Sequence, residues 1–136
     1  MRVRDPLSLS KIKHSVTWFT LVGIAAAITH YVVAVVLESV FNAIPANANI
    51  LGFIFAFPVS YFGHRRLSFA SHNTQHRQAL PKFLLIAVGG FLANQTLLLL
   101  LLRYTGLPFW LVLGFVMVVV ALSTYFLSRF WAFKSS

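Results

Sequence analysis

Residues 16–37 read VTWFTLVGIAAAITHYVVAVVL, 22 consecutive positions without a formally charged side chain. About 20 apolar residues in a helix cross the roughly 30 Å of a bilayer's hydrocarbon core, so this stretch predicts a spanning helix. Working outward, residues 46–62, 83–102 and 109–127 predict three more, of 17, 20 and 19 residues, each bounded by charge, Pro or Gly. The linkers are short: 38–45 carries Asn and Pro, 63–82 is polar and His-rich, and 103–108 is a Gly-Leu-Pro turn. Nothing is left over for an extramembrane domain, so residues 1–136 are expected to form a single all-α membrane domain with four transmembrane helices.

Composition agrees with that reading. The chain is 59% hydrophobic and only 10% charged, too oily to build a water-soluble surface. It has eleven Lys and Arg against two Asp and Glu, a net charge of +9, which excludes a carboxylate-rich hydrolase or a metal cage. Zero Cys excludes a disulfide scaffold, a thiolate zinc site and a cysteine nucleophile. A cleaved signal peptide is rejected: the first apolar run exceeds the typical 7 to 15 residues, and the Ala46-Asn47-Ala48 triplet lies well beyond its end. The first helix is expected to remain as an anchor.

Ten of the eleven bases fall in three segments that four spans put on one face. They are the N-terminal segment (Arg2, Arg4, Lys11, Lys13), the middle linker (Arg65, Arg66, Arg77, Lys82) and the tail (Arg129, Lys134). Lys and Arg accumulate on the cytoplasmic side, so both termini and the middle loop are expected there, in a multi-pass protein of the cytoplasmic membrane. The charge is thereby explained by topology, and no nucleic-acid partner is expected.

Sliding the chain on itself by 64 residues reveals a repeat, about 15–70 on about 79–134. The best match aligns Tyr61-Phe62-Gly63-His64-Arg65-Arg66-Leu67-Ser68-Phe69 with Tyr125-Phe126-Leu127-Ser128-Arg129-Phe130-Trp131-Ala132-Phe133. Each copy holds two spans, so the two tandem two-helix repeats have parallel orientation, related by an axis along the membrane normal. Ala48, Gly52, Ala56 and Ser60 form a small-residue row on which another helix backbone can approach closely, with Ala26-His30-Ala34 as a shorter row in the first span.

Polar residues inside spans are expensive and normally face the bundle interior. His30, Asn47, Asn49, Asn94 and Gln95 all lie in the outer half. Each alone serves equally well to hydrogen-bond helices together; as a group they suit a hydrophilic groove for sugar hydroxyls, which need donors and acceptors. Arg65, Arg66 and Arg129 stand at the repeated inner helix ends among aromatic residues. Such a set anchors a helix in the interface, and planar guanidinium groups from both repeats also suit the phosphate of a lipid headgroup. Glu38 and Arg103 are expected to form an interfacial ion pair, with an outer gate as the functional alternative. His64, His72 and His76 are too irregularly spaced to predict a metal site. No nucleotide-binding or hydrolase motif is present, so no catalytic residue, metal or cofactor is expected and the chain does not read as an enzyme.

Taken together, the small-rich second span leading into Tyr61-Phe62-Gly63-His64-Arg65-Arg66-Leu67-Ser68-Phe69, Lys82-Phe83, Asn94-Gln95 and the final Tyr125 to Phe133 motif resemble the GtrA-like family. These are small four-span membrane proteins associated with polyprenyl-phosphate sugars. The likeness covers about residues 15–134; His64 and Ser128 occupy places where that family usually has Asn before Arg. The resemblance implies flipping of a polyprenyl-phosphate-linked monosaccharide across the membrane, between one glycosyltransferase that makes it inside and another that uses it outside. Arg65, Arg66 and Arg129 would then hold the phosphate and the five polar span residues the sugar. Two other roles fit a chain of this kind: an anchor recruiting a cytosolic glycosyltransferase, and a small multidrug-type exporter built around Glu38. Four short helices enclose little volume, so a homo-oligomer is also expected.

Overall fold

The computed structural model describes residues 6–68 and 76–127, all-helical apart from two short turns. Helix α1 spans Pro6–Ser39, α2 Pro45–Gly63, α3 His76–Tyr104 and α4 Phe109–Leu127. Among the described residues one π-helical segment, His64–Ser68, continues α2 at its C-terminal end, the end expected to face inward. Among the described residues three helices are long and apolar enough to span a bilayer, and α4 is a shorter apolar helix. The protein is an all-α, multi-pass membrane protein.

The outward faces show where the lipid lies. Ile24, Ile28 and Val32 of α1, Ile54 and Phe55 of α2, Leu85, Ile86 and Leu92 of α3, and Phe115 and Val118 of α4 are all exposed. In water so much apolar surface would drive aggregation, whereas hydrocarbon leaves it at no disadvantage. The 34 residues of α1 extend for about 51 Å, well beyond the hydrocarbon thickness. Its surplus turns carry the exposed Lys11, Lys13 and His14, and the Trp18 indole N–H donates to His14 Nε2 one turn back at 2.9 Å. A basic, aromatic end of this kind suits the headgroup belt.

Each hairpin turn has a local cause. After α1, Asn42 adopts φ 54°, the left-handed region that Asn tolerates better than most L-residues. The Ala43 N–H then closes back on the Leu37 carbonyl at 2.9 Å, and Pro45 enters α2 in its first turn, where a missing N–H forfeits no helical bond. Before α4, the Pro108 carbonyl accepts from Leu111 and Val112 at 3.2 and 3.1 Å and starts the helix.

The helices neighbour one another in chain order: α1 on α2, α2 on α3, α3 on α4, and α4 back on α1. The closest approach is between α1 and α2. A Cβ placed on Gly52 would stand 2.7 Å from both the backbone oxygen and ring Cδ2 of His30, so this crossing admits only glycine without a shift. At the inner end a Cβ on Gly63 would lie 2.6 Å from Val22 Cγ1. Ala34 and Ala48 join Leu98, Phe109, Val112, Leu113 and Val116 in the main core, which occupies the outer half where all four helices meet.

Candidate functional site

Four of the five polar residues picked out in the spans meet in one buried cluster. Asn49, on the inward face of α2 one position from Ala48, is 0% exposed and forms its hub. His30 Nε2 of α1 lies 2.7 Å from Asn49 Oδ1. Asn49 Nδ2 donates to Asn94 Oδ1 of α3 at 2.8 Å and to Gln95 Oε1 at 2.7 Å. Gln95 Nε2 donates in turn to the Ala46 carbonyl at 3.2 Å. Three helices are thus joined by side-chain hydrogen bonds within their spans, where each such bond contributes about 1 kcal/mol.

Asn47 stands apart from the cluster. It is exposed, because two positions along a helix turn the side chain about 200° away from that of Asn49. The run Ala46-Asn47-Ala48-Asn49 reads as one polar entrance only until helical phase is applied.

A cavity of about 200 Å³ adjoins the cluster, lined by His30 and Asn94 on the polar side, by Phe53 and Phe91, and by Gly90 and Met117 with further α4 residues. The Phe53 and Phe91 rings stack at 4.6 Å, 23° from parallel, and build an aromatic wall that no spacing in the sequence announces. A second cavity, about 270 Å³, opens between α3 and α4 near the outer end, and is lined by Leu101, Leu107, Leu111, Val112 and Phe115 with Thr105. The Thr105 hydroxyl already donates to the Leu101 carbonyl at 2.6 Å, leaving that space apolar in character.

At the other end of α2, Arg65 and Arg66 lie in the π-helical segment, Arg65 half-buried and Arg66 exposed. The Arg66 guanidinium sits 5.8 Å from the centre of the Phe62 ring, within cation–π range. His64, between them and Gly63, is buried with its ring against Phe19 at 4.4 Å. It is a packing residue at the foot of α1. Arg129 lies outside the described residues.

The expected Glu38 to Arg103 pairing is not formed. Glu38, at the outer end of α1, accepts from the neighbouring Ser39 hydroxyl at 2.9 Å, and among the described residues no ion pair joins it to the exposed Arg103. Two solvated side chains near the interface gain little from pairing, at most about 1 kcal/mol, and local geometry prevails. That position also denies Glu38 the buried setting that a proton-coupled drug site within the span would need.

The fold is that of a helical membrane bundle, with a buried amide and imidazole hub and an open cavity beside it. The chain belongs to the family described as GtrA/DPMS, transmembrane domain, whose profile matches residues 18–133. Comparison with curated proteins and with solved structures gives no match. The family connects the protein with lipid-linked sugars at membranes, and its members are generally not catalysts.

Proposed function

We propose that the protein moves a polyprenyl-phosphate-linked monosaccharide across the cytoplasmic membrane, receiving it from a glycosyltransferase on the inner side. The observation that supports this most directly is the polar cluster of His30, Asn49, Asn94 and Gln95 beside a cavity inside a four-helix membrane domain. A hydroxyl-bearing headgroup must exchange its water for protein donors and acceptors on the way through, and these side chains supply both.

Arg65 follows Asn49 by 16 residues, about 24 Å along α2. A phosphate bonded directly to one sugar is far shorter than that. Arginines and amide cluster therefore act in succession: Arg65, Arg66 and Arg129 take the phosphate at the inner leaflet, and the cluster receives the sugar in the outer half while the prenyl chain stays in lipid. With no nucleotide-binding motif in the sequence, direction would come from consumption of the product outside or from an ion gradient.

Reconstitution with defined polyprenyl-phosphate sugars, read by outer-leaflet accessibility, tests the reading. The double variant Arg65→Gln with Arg129→Gln is expected to abolish transfer while circular dichroism stays unchanged; unimpaired transfer by a folded double variant would falsify the phosphate station.

A further inference from the structure

The hydrogen bonds of the cluster have a direction, and one backbone atom sets it. Gln95 Nε2 approaches the Ala46 carbonyl oxygen, which can only accept. The Gln95 amide therefore turns its NH2 toward Ala46 and its Oε1 toward Asn49. Since Oε1 accepts, Asn49 presents Nδ2 on that side, and the second Nδ2 proton goes to Asn94 Oδ1. Both protons are then used, so Asn49 Oδ1 is the atom left to face His30, and it too can only accept. His30 consequently carries its proton on Nε2.

Two polar atoms remain. In the neutral imidazole, Nδ1 is a bare acceptor once Nε2 holds the proton, and Asn94, its oxygen engaged, has its NH2 to give. Among the described residues neither atom meets another side chain, and the Asn49 backbone is the one further hydrogen-bonding neighbour of the His30 ring. Among the described residues no buried side-chain nitrogen or oxygen lacks a partner, so both are open to space, and the space that His30 and Asn94 share is the cavity of about 200 Å³. Asn49 and Gln95 do not line it.

We infer that His30 Nδ1 and Asn94 Nδ2 are the ligand-contacting atoms, an acceptor and a donor of fixed polarity, while Asn49 and Gln95 are positioning residues acting through them. The inference rests on the proposed sugar-lipid reading and narrows it to an uncharged, polyhydroxylated ring. One hydroxyl donates to His30 and a neighbouring oxygen accepts from Asn94. Phe53 and Phe91 give the C–H face of the ring an apolar wall. The space, about 200 Å³ and largely open at the bundle surface, has room for one ring-sized group. A phosphate would face the Nδ1 lone pair and a cation the Asn94 amide protons, so both are disfavoured here.

The test uses the full chain with ¹⁵N-labelled histidine in phospholipid nanodiscs, with His30→Gln assigning the His30 signals. Expected is a protonated Nε2 and an unprotonated Nδ1, with octyl β-D-glucoside shifting Nδ1 alone and octyl phosphate shifting neither. In Gln95→Met and Asn49→Leu the single tautomer and the glucoside shift are expected to be lost. A protonated Nδ1 in the unmodified protein overturns the inference, as does a glucoside effect at Nε2 or no glucoside effect at all. If Asn49→Leu fails to fold, Gln95→Met decides: a folded variant that keeps both tautomer and glucoside shift removes the positioning role. Absence of lipid-linked sugar transfer alongside an intact glucoside shift at Nδ1 would retire the transport reading and support the contact atoms.

Discussion

The two helical hairpins occupy equivalent places and pack by opposite means. Helix α4 begins and ends 64 residues after α2, Phe109–Leu127 against Pro45–Gly63. Ala48, Asn49 and Gly52 of α2 are buried, and so are Val112, Leu113 and Val116 at the same offset in α4. His30 and Asn94, also 64 apart, are both buried and both bond to Asn49. The first hairpin closes with small residues and hydrogen bonds, the second with branched aliphatic side chains. They also differ in depth of closure. Buried residues of the first run from Ala48 near the outer end to Tyr61 and His64 at the inner end. In α3, Leu85 and Ile86 toward the inner side are 76% and 72% exposed, and the buried residues of α3 and α4 among those described lie in the outer half. The cavity lies at the depth where burial of the second hairpin gives out. The first hairpin thus supplies the centre of the hub at Asn49, and the second adds Asn94 and Gln95 to it while leaving a space beside it.

Exchanging equivalent residues should break this division, and the largest effect is expected at the α1–α2 crossing. Gly52→Val imports the residue of position 116 into a place where even a Cβ stands 2.7 Å from a backbone oxygen. Overpacking of this kind costs about 3 kcal/mol or more, because backbone cannot rotate aside as a side chain can. Unfolding in detergent micelles should show a collapse of stability, whereas Val116→Ala, which only opens a small space, should cost about 1 to 2 kcal/mol. Equal costs would mean that the α1–α2 crossing is no tighter than the α3–α4 packing.

Next in size come the hub and its counterpart. Asn49→Leu removes three interhelical hydrogen bonds and is expected to lower stability by about 1 to 3 kcal/mol. Leu113→Asn puts an amide among aliphatic neighbours and should lower it by a similar amount, about 1 to 3 kcal/mol. The two should separate in function: only Asn49→Leu is expected to reduce transfer of a lipid-linked sugar by at least tenfold in vesicles. A smaller effect is expected from Phe19→Leu, which removes one aromatic partner from His64 and should cost about 1 kcal/mol in the same unfolding measurement.

Much of this was legible before the fold. The spans follow from uninterrupted apolar length, the paired hairpins from the 64-residue offset, and the tight crossing from small residues four apart. The cluster was legible as composition and not as geometry. Asn47 and Asn49 carry the same side chain at the same depth, and only helical phase sends one outward and the other to the hub. Two ion-pair partners near an interface have too little to gain for sequence to dictate their meeting, which is why Glu38 and Arg103 stay apart. The Phe53–Phe91 wall needs the relative rotation of α2 and α3, and nothing along either helix encodes that by itself.

The smallest expected effect concerns the second seam between the hairpins. Helices α2 and α3 are joined through Asn49 and Gln95, whereas α1 and α4 are joined by the Tyr31 hydroxyl, which donates to the Trp110 carbonyl at 3.0 Å. Trp110 is the second residue of α4, so its carbonyl lies near the end of that helix, where interfacial water can replace a lost donor. Tyr31→Phe is therefore expected to cost less than about 1 kcal/mol, the range of a single solvent-accessible hydrogen bond. The ring itself should stay in place, since it also packs on the main core and its Cε2 lies 3.5 Å from where a Cβ on Gly114 would stand. Unfolding of Tyr31→Phe beside Gln95→Met would rank the seams. A Tyr31→Phe loss as large as that of Gln95→Met would mean that the two seams share the linkage of the hairpins equally, and the buried hub would no longer be the stronger of the two.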